Sequence, residues 1–220
     1  MSATNGFTTI TKFSPGSPFV EAFGLLTASL LLQNGKEGGI RIICVLGAEE
    51  GAGASTTALN LALTVANAGR RTLLIDANLR SPTLHHPFNL PQSPGFGEIL
   101  SKKVMVKDAV RASKLSNFYL LPSGAVTGSP SASMQPQLLG AIFDQVKAGY
   151  DFAIVDTAPV LRYADALHLA RFTDGVLLVM PADGARRRAE LEVRRRLERV
   201  DVNVLGIVLN RSSQKEAMAR

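Results

Sequence analysis

Short runs of apolar residues alternate with longer segments of helical periodicity along most of the chain. The runs are rich in Ile, Val and Leu with little polar alternation, which is typical of strands buried on both faces of a sheet. The pattern predicts strands over residues 40–46, 71–75, 117–121, 152–155, 175–180 and 203–209. It predicts helices over residues 18–32, 55–68, 136–147, 163–171 and 185–200, with a weaker helix over 96–113.

This strand–helix alternation predicts an α/β fold, a doubly wound and mostly parallel sheet with helices on both faces. We expect a single domain over residues 18–211, a flexible polar arm over residues 1–17 and a short polar tail over residues 212–220. Sheets of this kind bind ligands beyond the carboxyl ends of their strands. Candidate functional residues should therefore directly follow strands.

Composition and charge narrow the class of protein. The chain has 220 residues, of which 46% are hydrophobic and 19% charged, so it is neither disordered nor a disulfide scaffold. Its single cysteine, Cys44, falls in a predicted strand and is interpreted as a reduced core thiol of a cytoplasmic protein. The pattern indicates neither a membrane span nor a signal peptide. A net charge of +6 permits an anionic partner without selecting one.

A glycine-rich segment, GAEEGAGASTT over residues 47–57, follows the first strand and leads into a helix. Gly51 and Gly53 permit backbone angles that point successive N–H groups into a concavity, and the helix start near Ser55 adds the positive end of its dipole. This arrangement predicts a loop that binds phosphate. The usual P-loop is GxxxxGK[ST], and Ala54 stands here at the position of the lysine.

Two aspartates follow later strands in the same way. Asp76 ends the run LLID, and Asp156 ends the run AIVD. A carboxylate at the end of a buried strand, in a fold with a phosphate loop, usually organises Mg²⁺ or its waters. Asp76 and Asp156 are therefore candidate catalytic residues and, with Ser55, candidate magnesium ligands.

Residues 18–211 resemble the cytoplasmic ATP-binding domains of bacterial tyrosine kinases (BY-kinases), which act in capsule and exopolysaccharide production. These kinases are relatives of the MinD/ParA-type ATPases. The resemblance rests on the stretches SPFVEAF, GAEEGAGASTT, DANLRSP, VDTAP and VLGIVLNR. It implies a parallel P-loop sheet and Mg-ATP as the cofactor. It also implies a partner, a membrane protein that controls polysaccharide chain length.

The resemblance also implies roles for single residues. Asp76 matches the first aspartate of the second family motif, Asp156 matches the Walker B aspartate, and Asn210 matches the asparagine that contacts adenine. The candidate cofactor-binding positions in the loop are Gly51, Ala52, Gly53, Ala54, Ser55 and Thr56.

Four departures from the family pattern suggest a degenerate member. Ala54 replaces the lysine, Asn78 replaces the second aspartate of the D-x-D motif, and the E-x-x-R-x-x-R signature around Glu21 has lost both arginines. The tail contains no tyrosine, since the chain has tyrosines only at positions 119, 150 and 163. We interpret the chain as a catalytically impaired regulator of polysaccharide synthesis and export. We expect it to be a monomer or dimer rather than a ring octamer, and to reach the inner face of the membrane through its partner.

Two other functions stay open from the sequence. One is an active tyrosine autokinase that takes its cation from elsewhere, for instance from Arg80, a further candidate cofactor-binding residue. The other is a MinD/ParA-type partitioning ATPase, although the characteristic second lysine of that type is Glu49 here.

The helix over residues 185–200 carries seven arginines. We interpret them as a solvated basic face, with an anionic membrane surface or an acidic partner tail as the alternative. We do not expect nucleic acid as the partner, because no aromatic interleaving or groove-reading motif accompanies the charge.

Overall fold

Seven strands form a single sheet in the computed structural model, which describes residues 7–33, 39–126, 128–182 and 187–212. The strands are β1 (Ile42–Gly47), β2 (Thr72–Asp76), β3 (Arg111–Ala112), β4 (Phe118–Leu121), β5 (Phe152–Asp156), β6 (Gly175–Pro181) and β7 (Val204–Asn210). Their order across the sheet is β3-β4-β2-β5-β1-β6-β7. All neighbours pair in parallel except β3 and β4, which are antiparallel. The predicted α/β fold with a mostly parallel sheet is confirmed.

Helices cover both faces of this sheet. They are α1 (Pro18–Gln33), α2 (Ala54–Asn67), α3 (Phe96–Leu100), α4 (Val106–Ala109), α5 (Pro130–Ser133), α6 (Pro136–Gly149), α7 (Asp165–Ala170) and α8 (Arg187–Glu198). Successive residues of β1 point to opposite faces, as the pleat of a strand requires. Ile43 and Val45 pack in the cluster that includes α2, while Cys44 and Leu46 pack with α7 and α8 on the other face. Among the described residues, no helix is both long and apolar enough to cross a membrane.

The predicted weak helix over residues 96–113 is wrong. In its place the chain forms α3, α4 and the edge strand β3. Lys102 adopts the left-handed conformation with φ of 56° just after α3, which ends that helix. Arg111 and Ala112 then pair with Leu120 and Tyr119 of β4. Pairing with an existing strand outweighs a weak helical preference, because it satisfies backbone groups at the sheet edge.

The described part of the predicted N-terminal arm packs against α2. Ile10 is buried, and its backbone N–H donates to Oδ1 of Asn60 at 2.7 Å. The Asn60 amide in turn donates to the carbonyl oxygens of Thr8 and Thr56, both at 2.8 Å. A fully buried polar side chain thus joins residues 8–10 to the first turn of α2, in a segment that its composition alone marked as a flexible arm.

Candidate nucleotide site

The loop between β1 and α2, here called the phosphate loop (residues 47–56), has the backbone that its glycines predict. Gly51 and Gly53 have φ of 76° and 93°, in the left-handed region that favours glycine. α2 begins directly afterwards at Ala54, so the free N–H groups of its first turn face the loop. A concave backbone with a helix N-terminus behind it binds anions well.

A cleft of about 490 Å³ opens above this loop at the carboxyl edge of the sheet. Its walls come from the phosphate loop, from the loops that follow β2 and β5, and from both ends of the described chain. The lining residues are Phe7, Gly47, Glu49, Glu50, Gly51, Ala52, Gly53, Ala54, Ser55, Thr56, Asn78, Arg80, Ser81, Thr83, Thr157, Pro159, Tyr163 and Arg211. No lysine is among them, and Ala54 presents a methyl group where the usual loop has its cation.

Asp76 and Asp156 lie side by side beneath the cleft, and we call this pair the carboxylate corner. They are register partners at the ends of β2 and β5, and both are completely buried. Oδ2 of Asp76 accepts hydrogen bonds from the backbone N–H groups of Thr83 and Leu84 at 3.2 and 3.1 Å. In the described part of the chain, Oδ1 of Asp76 and both carboxylate oxygens of Asp156 have no hydrogen-bond partner.

Burial disfavours the ionised form of both groups. It raises the pKa of Asp76 to about 7, against the lowering effect of the backbone N–H groups of Leu84, Thr83 and Asn78 nearby. The pKa of Asp156 is raised well above its ordinary value by burial and then by the charge of Asp76, while the Ser55 hydroxyl lowers it. Ser55 therefore lies near the carboxylate corner. Its role as a magnesium ligand stays a prediction.

Three unpaired carboxylate oxygens and a nearby hydroxyl fit the preference of Mg²⁺ for oxygen ligands. Within the described ranges, no group of three or more His, Cys, Asp and Glu side chains could hold a metal by itself. Ser55, Asp76 and Asp156 would thus hold only part of the shell, and the rest would come from water and phosphate oxygens. A cation here would neutralise phosphate charge, and its binding would depend on the nucleotide.

The loop after β2 uses its polar residues differently from what the sequence suggested. Oδ1 of Asn78 accepts a hydrogen bond from the backbone N–H of Ser81 at 3.2 Å, so this amide closes a turn. Arg80 is held by Asp165, with Nε at 2.9 Å and Nη2 at 3.3 Å from its carboxylate oxygens. Its guanidinium carbon also lies 4.6 Å from the ring centre of Tyr163. Arg80 lines the cleft, but its charge is already paired.

The end of β7 is fastened to the phosphate loop. The Asn210 amide donates to the carbonyl oxygen of Ala52 at 2.9 Å, and its Oδ1 accepts from the backbone N–H of Arg211 at 3.0 Å. Nη2 of Arg211 donates to the carbonyl oxygen of Gly51 at 2.9 Å. A Cβ at Gly53 would lie 1.9 Å from the Asn210 amide nitrogen, so only glycine fits there. The residue expected to contact adenine is thus engaged with the loop backbone.

Sequence reasoning missed three cleft residues that come from distant parts of the chain. Phe7 comes from the predicted arm, Tyr163 from the loop after β5, and Arg211 from the far edge of the sheet. Only Arg211 had a signal, because it is the last residue of the matched stretch VLGIVLNR, directly after Asn210. Arg162 lies near the same mouth and pairs with Glu50, a contact between residues 112 positions apart.

A glycine-rich loop between β1 and a helix, with carboxylates ending two neighbouring parallel strands, is the arrangement of the P-loop nucleoside triphosphatase fold. The solved structure of the cell division ATPase MinD from Pyrococcus furiosus has the same fold, with a TM-score of 0.68 at 24% identity over 81% of this chain and 78% of that one. The arrangement is that of the MinD/ParA-like class.

Comparison with known proteins narrows this class to a family. Residues 40–183 match the family model AAA_31, described as an AAA domain. The tyrosine-protein kinase YwqD of Bacillus subtilis is 33% identical over 78% of this chain and 72% of its own length. The crystal structure of the chimerical protein CapA2B2 has a TM-score of 0.86 at 29% identity, over 93% of this chain and 90% of that chain. The kinase domain of Escherichia coli tyrosine kinase ETK has a TM-score of 0.79 at 27% identity, over 89% and 78%. The chain belongs to the bacterial tyrosine-protein kinase family.

Proposed function

We propose that this chain is a BY-kinase-like regulator of capsule or exopolysaccharide synthesis and export that binds ATP or ADP with Mg²⁺ and is impaired in phosphoryl transfer. The observation that supports the proposal is that the carboxylates of the site are kept while its lysine and its second D-x-D aspartate are replaced. The carboxylate corner keeps three unpaired buried oxygens, whereas no lysine lines the cleft in the described chain and Asn78 forms a turn.

Loss of the loop lysine should have different effects on ATP affinity and on the rate of phosphoryl transfer. A hydrogen bond to a charged group contributes about 1.5–3 kcal/mol, so loss of a loop lysine should weaken ATP binding by roughly 10- to 1,000-fold. The backbone cradle and the helix N-terminus persist and support weak binding. Phosphoryl transfer relies on positioning and charge stabilisation in the transition state, so the same loss should reduce the rate more than the affinity.

The contacts of Arg80 argue against an active kinase in which this residue replaces the loop lysine. The cation suggested as a replacement for the lysine is held by both oxygens of Asp165, and moving it to phosphate would leave a buried carboxylate unpaired. The tyrosines of this sequence, at positions 119, 150 and 163, all lie within residues 18–211. We infer weak or absent autophosphorylation.

The regulatory part of the proposal concerns a partner. A nucleotide-binding domain without efficient transfer can still signal the presence of nucleotide by changing its affinity for another protein. The partner we propose is the cytoplasmic segment of a membrane protein that controls polysaccharide chain length. Contact with it would place this chain at the inner face of the membrane, in the state of a monomer or dimer.

The test is titration of the purified protein with fluorescent ATP and ADP, with and without Mg²⁺, together with an autophosphorylation assay. We expect weak, Mg²⁺-dependent binding that is lost in Asp156→Asn and unchanged in Asp144→Asn, an exposed aspartate on α6. We expect no phosphotyrosine. Phosphotyrosine that forms with Mg-ATP and vanishes in Asp76→Ala would contradict the impairment. Absence of binding at millimolar nucleotide would contradict the proposal as a whole.

A further inference from the structure

We propose that Arg211 is a nucleotide-binding residue whose guanidinium contacts the polyphosphate and replaces the cation that the loop lacks at Ala54. The inference rests on the proposed function, because it names the group that holds the anionic part of the same ligand. It begins from the charges around the cleft.

Four charged side chains line the cleft in the described part of the chain. Two are acidic, Glu49 and Glu50, and two are basic, Arg80 and Arg211. Glu50 is paired with Arg162 at the mouth, and Arg80 is paired with Asp165. A polyphosphate carries several negative charges, so a cation beside it would stabilise its binding. Arg211 is the basic lining residue whose described contacts leave its charge unpaired by a carboxylate.

Three hydrogen bonds hold Arg211 against the phosphate loop. Its side chain donates to Gly51, its backbone N–H donates to Asn210, and the Asn210 amide donates to Ala52. The backbone of Arg211 has φ of 62°, a left-handed conformation that turns the chain sharply after β7. The carbonyl oxygen of Asn210 accepts from the backbone N–H of Ala182 at 2.8 Å, which fixes the start of this turn to the end of β6.

The guanidinium keeps most of its bonding capacity. Arginine has five N–H donors, and the described contacts use one of them, on the carbonyl oxygen of Gly51. A planar guanidinium can bind two phosphate oxygens at once, and it stays charged at any physiological pH. A lysine at position 54 would approach the phosphates from the first turn of α2, whereas Arg211 approaches from the far edge of the sheet. Because the two cations approach from different directions, Arg211 can restore affinity for the bound nucleotide. It does not restore the position of charge that phosphoryl transfer requires.

The experiment compares ligands that differ in phosphate number. Wild type and Arg211→Ala are titrated with fluorescent ADP and ATP and, by calorimetry, with adenosine. We expect the variant to bind ADP and ATP about 10- to 100-fold more weakly, while its adenosine affinity stays within about twofold. Arg211→Lys, which keeps charge but not the planar fork, should lie between them. Arg195→Ala, at an exposed arginine on α8, should match wild type.

A second variant tests the replacement directly. Ala54→Lys should tighten ADP binding more in the Arg211→Ala background than in wild type, because one cation makes the other less necessary. Thermal unfolding and circular dichroism check that each variant is folded. Equal ADP affinity in wild type and Arg211→Ala would overturn the role of Arg211 and leave the proposed function standing. Equal losses for adenosine and ADP would overturn it too, since they would indicate a contact with the base or a change in loop shape. No binding by wild type would overturn both inferences.

Discussion

The carboxylate corner lies beneath the cleft that the phosphate loop lines. The two regions differ in how well their polar atoms are hydrogen-bonded. Asp76 and Asp156 are completely buried with unpaired oxygens, an arrangement that destabilises the empty protein. In the phosphate loop, Ala54 carries no charge, and the open carbonyl groups of Gly51 and Ala52 are bonded by Arg211 and Asn210. The carboxylate corner thus has buried oxygens without hydrogen-bond donors, whereas the carbonyl oxygens of Gly51 and Ala52 in the loop are bonded within the protein. This contrast is the basis of our proposal that the chain binds metal and nucleotide but is impaired in turnover.

The largest expected effect tests the strain in the carboxylate corner. A pKa raised from 3.8 to about 7 means that folding disfavours the ionised form of Asp76, so its contribution to stability is fully present below pH 4 and is lost as the pH rises through about 7. We expect Asp76→Asn to raise the free energy of unfolding at pH 8, without metal, by on the order of 2–4 kcal/mol. The gain should disappear towards pH 4.

Urea unfolding of wild type and variant between pH 4 and pH 8 measures this difference. Asparagine retains an oxygen for the N–H groups of Thr83 and Leu84, and its NH₂ group can donate to Asp156. Asp144→Asn on α6 is the matched control and should show no such pH dependence. A loss of stability at pH 8 in Asp76→Asn would show that the corner is not strained.

The second prediction repairs the phosphate loop. Ala54→Lys should tighten ATP binding by about 1.5–3 kcal/mol, because it adds a cation that meets the phosphates in the ground state. Asn78→Asp alone should leave binding unchanged or slightly weaker, since it adds negative charge near phosphate. Only the double variant should hydrolyse ATP measurably, and its gain should be non-additive because both groups serve one transition state.

Phosphate release under saturating Mg-ATP measures the turnover of all four proteins. Wild-type turnover equal to that of the double variant would show that the chain was never impaired. No gain in binding or hydrolysis in the double variant would place the defect outside these two positions.

The third prediction concerns the link between the phosphate loop and the N-terminal segment. Asn60→Ala removes the bonds to Thr8, Ile10 and Thr56 and should cost about 1–2 kcal/mol of stability. Hydrogen exchange should rise at the Ile10 amide, with less change in the strands. Asn67→Ala, at an exposed position near the end of α2, is the control. Unchanged exchange at Ile10 would mean that apolar packing alone holds the segment.

The smallest effect is expected at the mouth of the cleft. The pair Arg162–Glu50 is exposed on both sides, so Arg162→Ala should change the free energy of unfolding by less than about 1 kcal/mol. The difference should shrink further at high salt. Chemical unfolding at low and at high salt measures it, and a change of several kcal/mol would show that the mouth is a structural part of the site.

Much of the fold followed from local pattern. Runs of Ile, Val and Leu predicted the strands β1, β2, β4, β5, β6 and β7, because such runs are typical of strands covered on both faces. The edge strand β7 is only partly buried. The glycines at 51 and 53 predicted the left-handed turns of the phosphate loop, because other residues rarely adopt them. The helix predicted over residues 96–113 was wrong, because a weak helical preference does not reveal that β3 pairs with β4.

The sequence by itself determined the glycine-rich loop between β1 and α2, the positions of both buried aspartates and the alanine at position 54. Each of these depends on a residue type at a fixed distance from a strand end. Only the tertiary structure decided that Arg80 is held by Asp165, that Asn210 is bonded to the loop, and that Phe7 and Arg211 reach the same cleft. The two hydrogen-bonded pairs are 85 and 158 positions apart in the sequence. Strand order determines which distant residues come close together, and the polar groups that meet there then compete for hydrogen-bond partners. Local sequence gives no information on either.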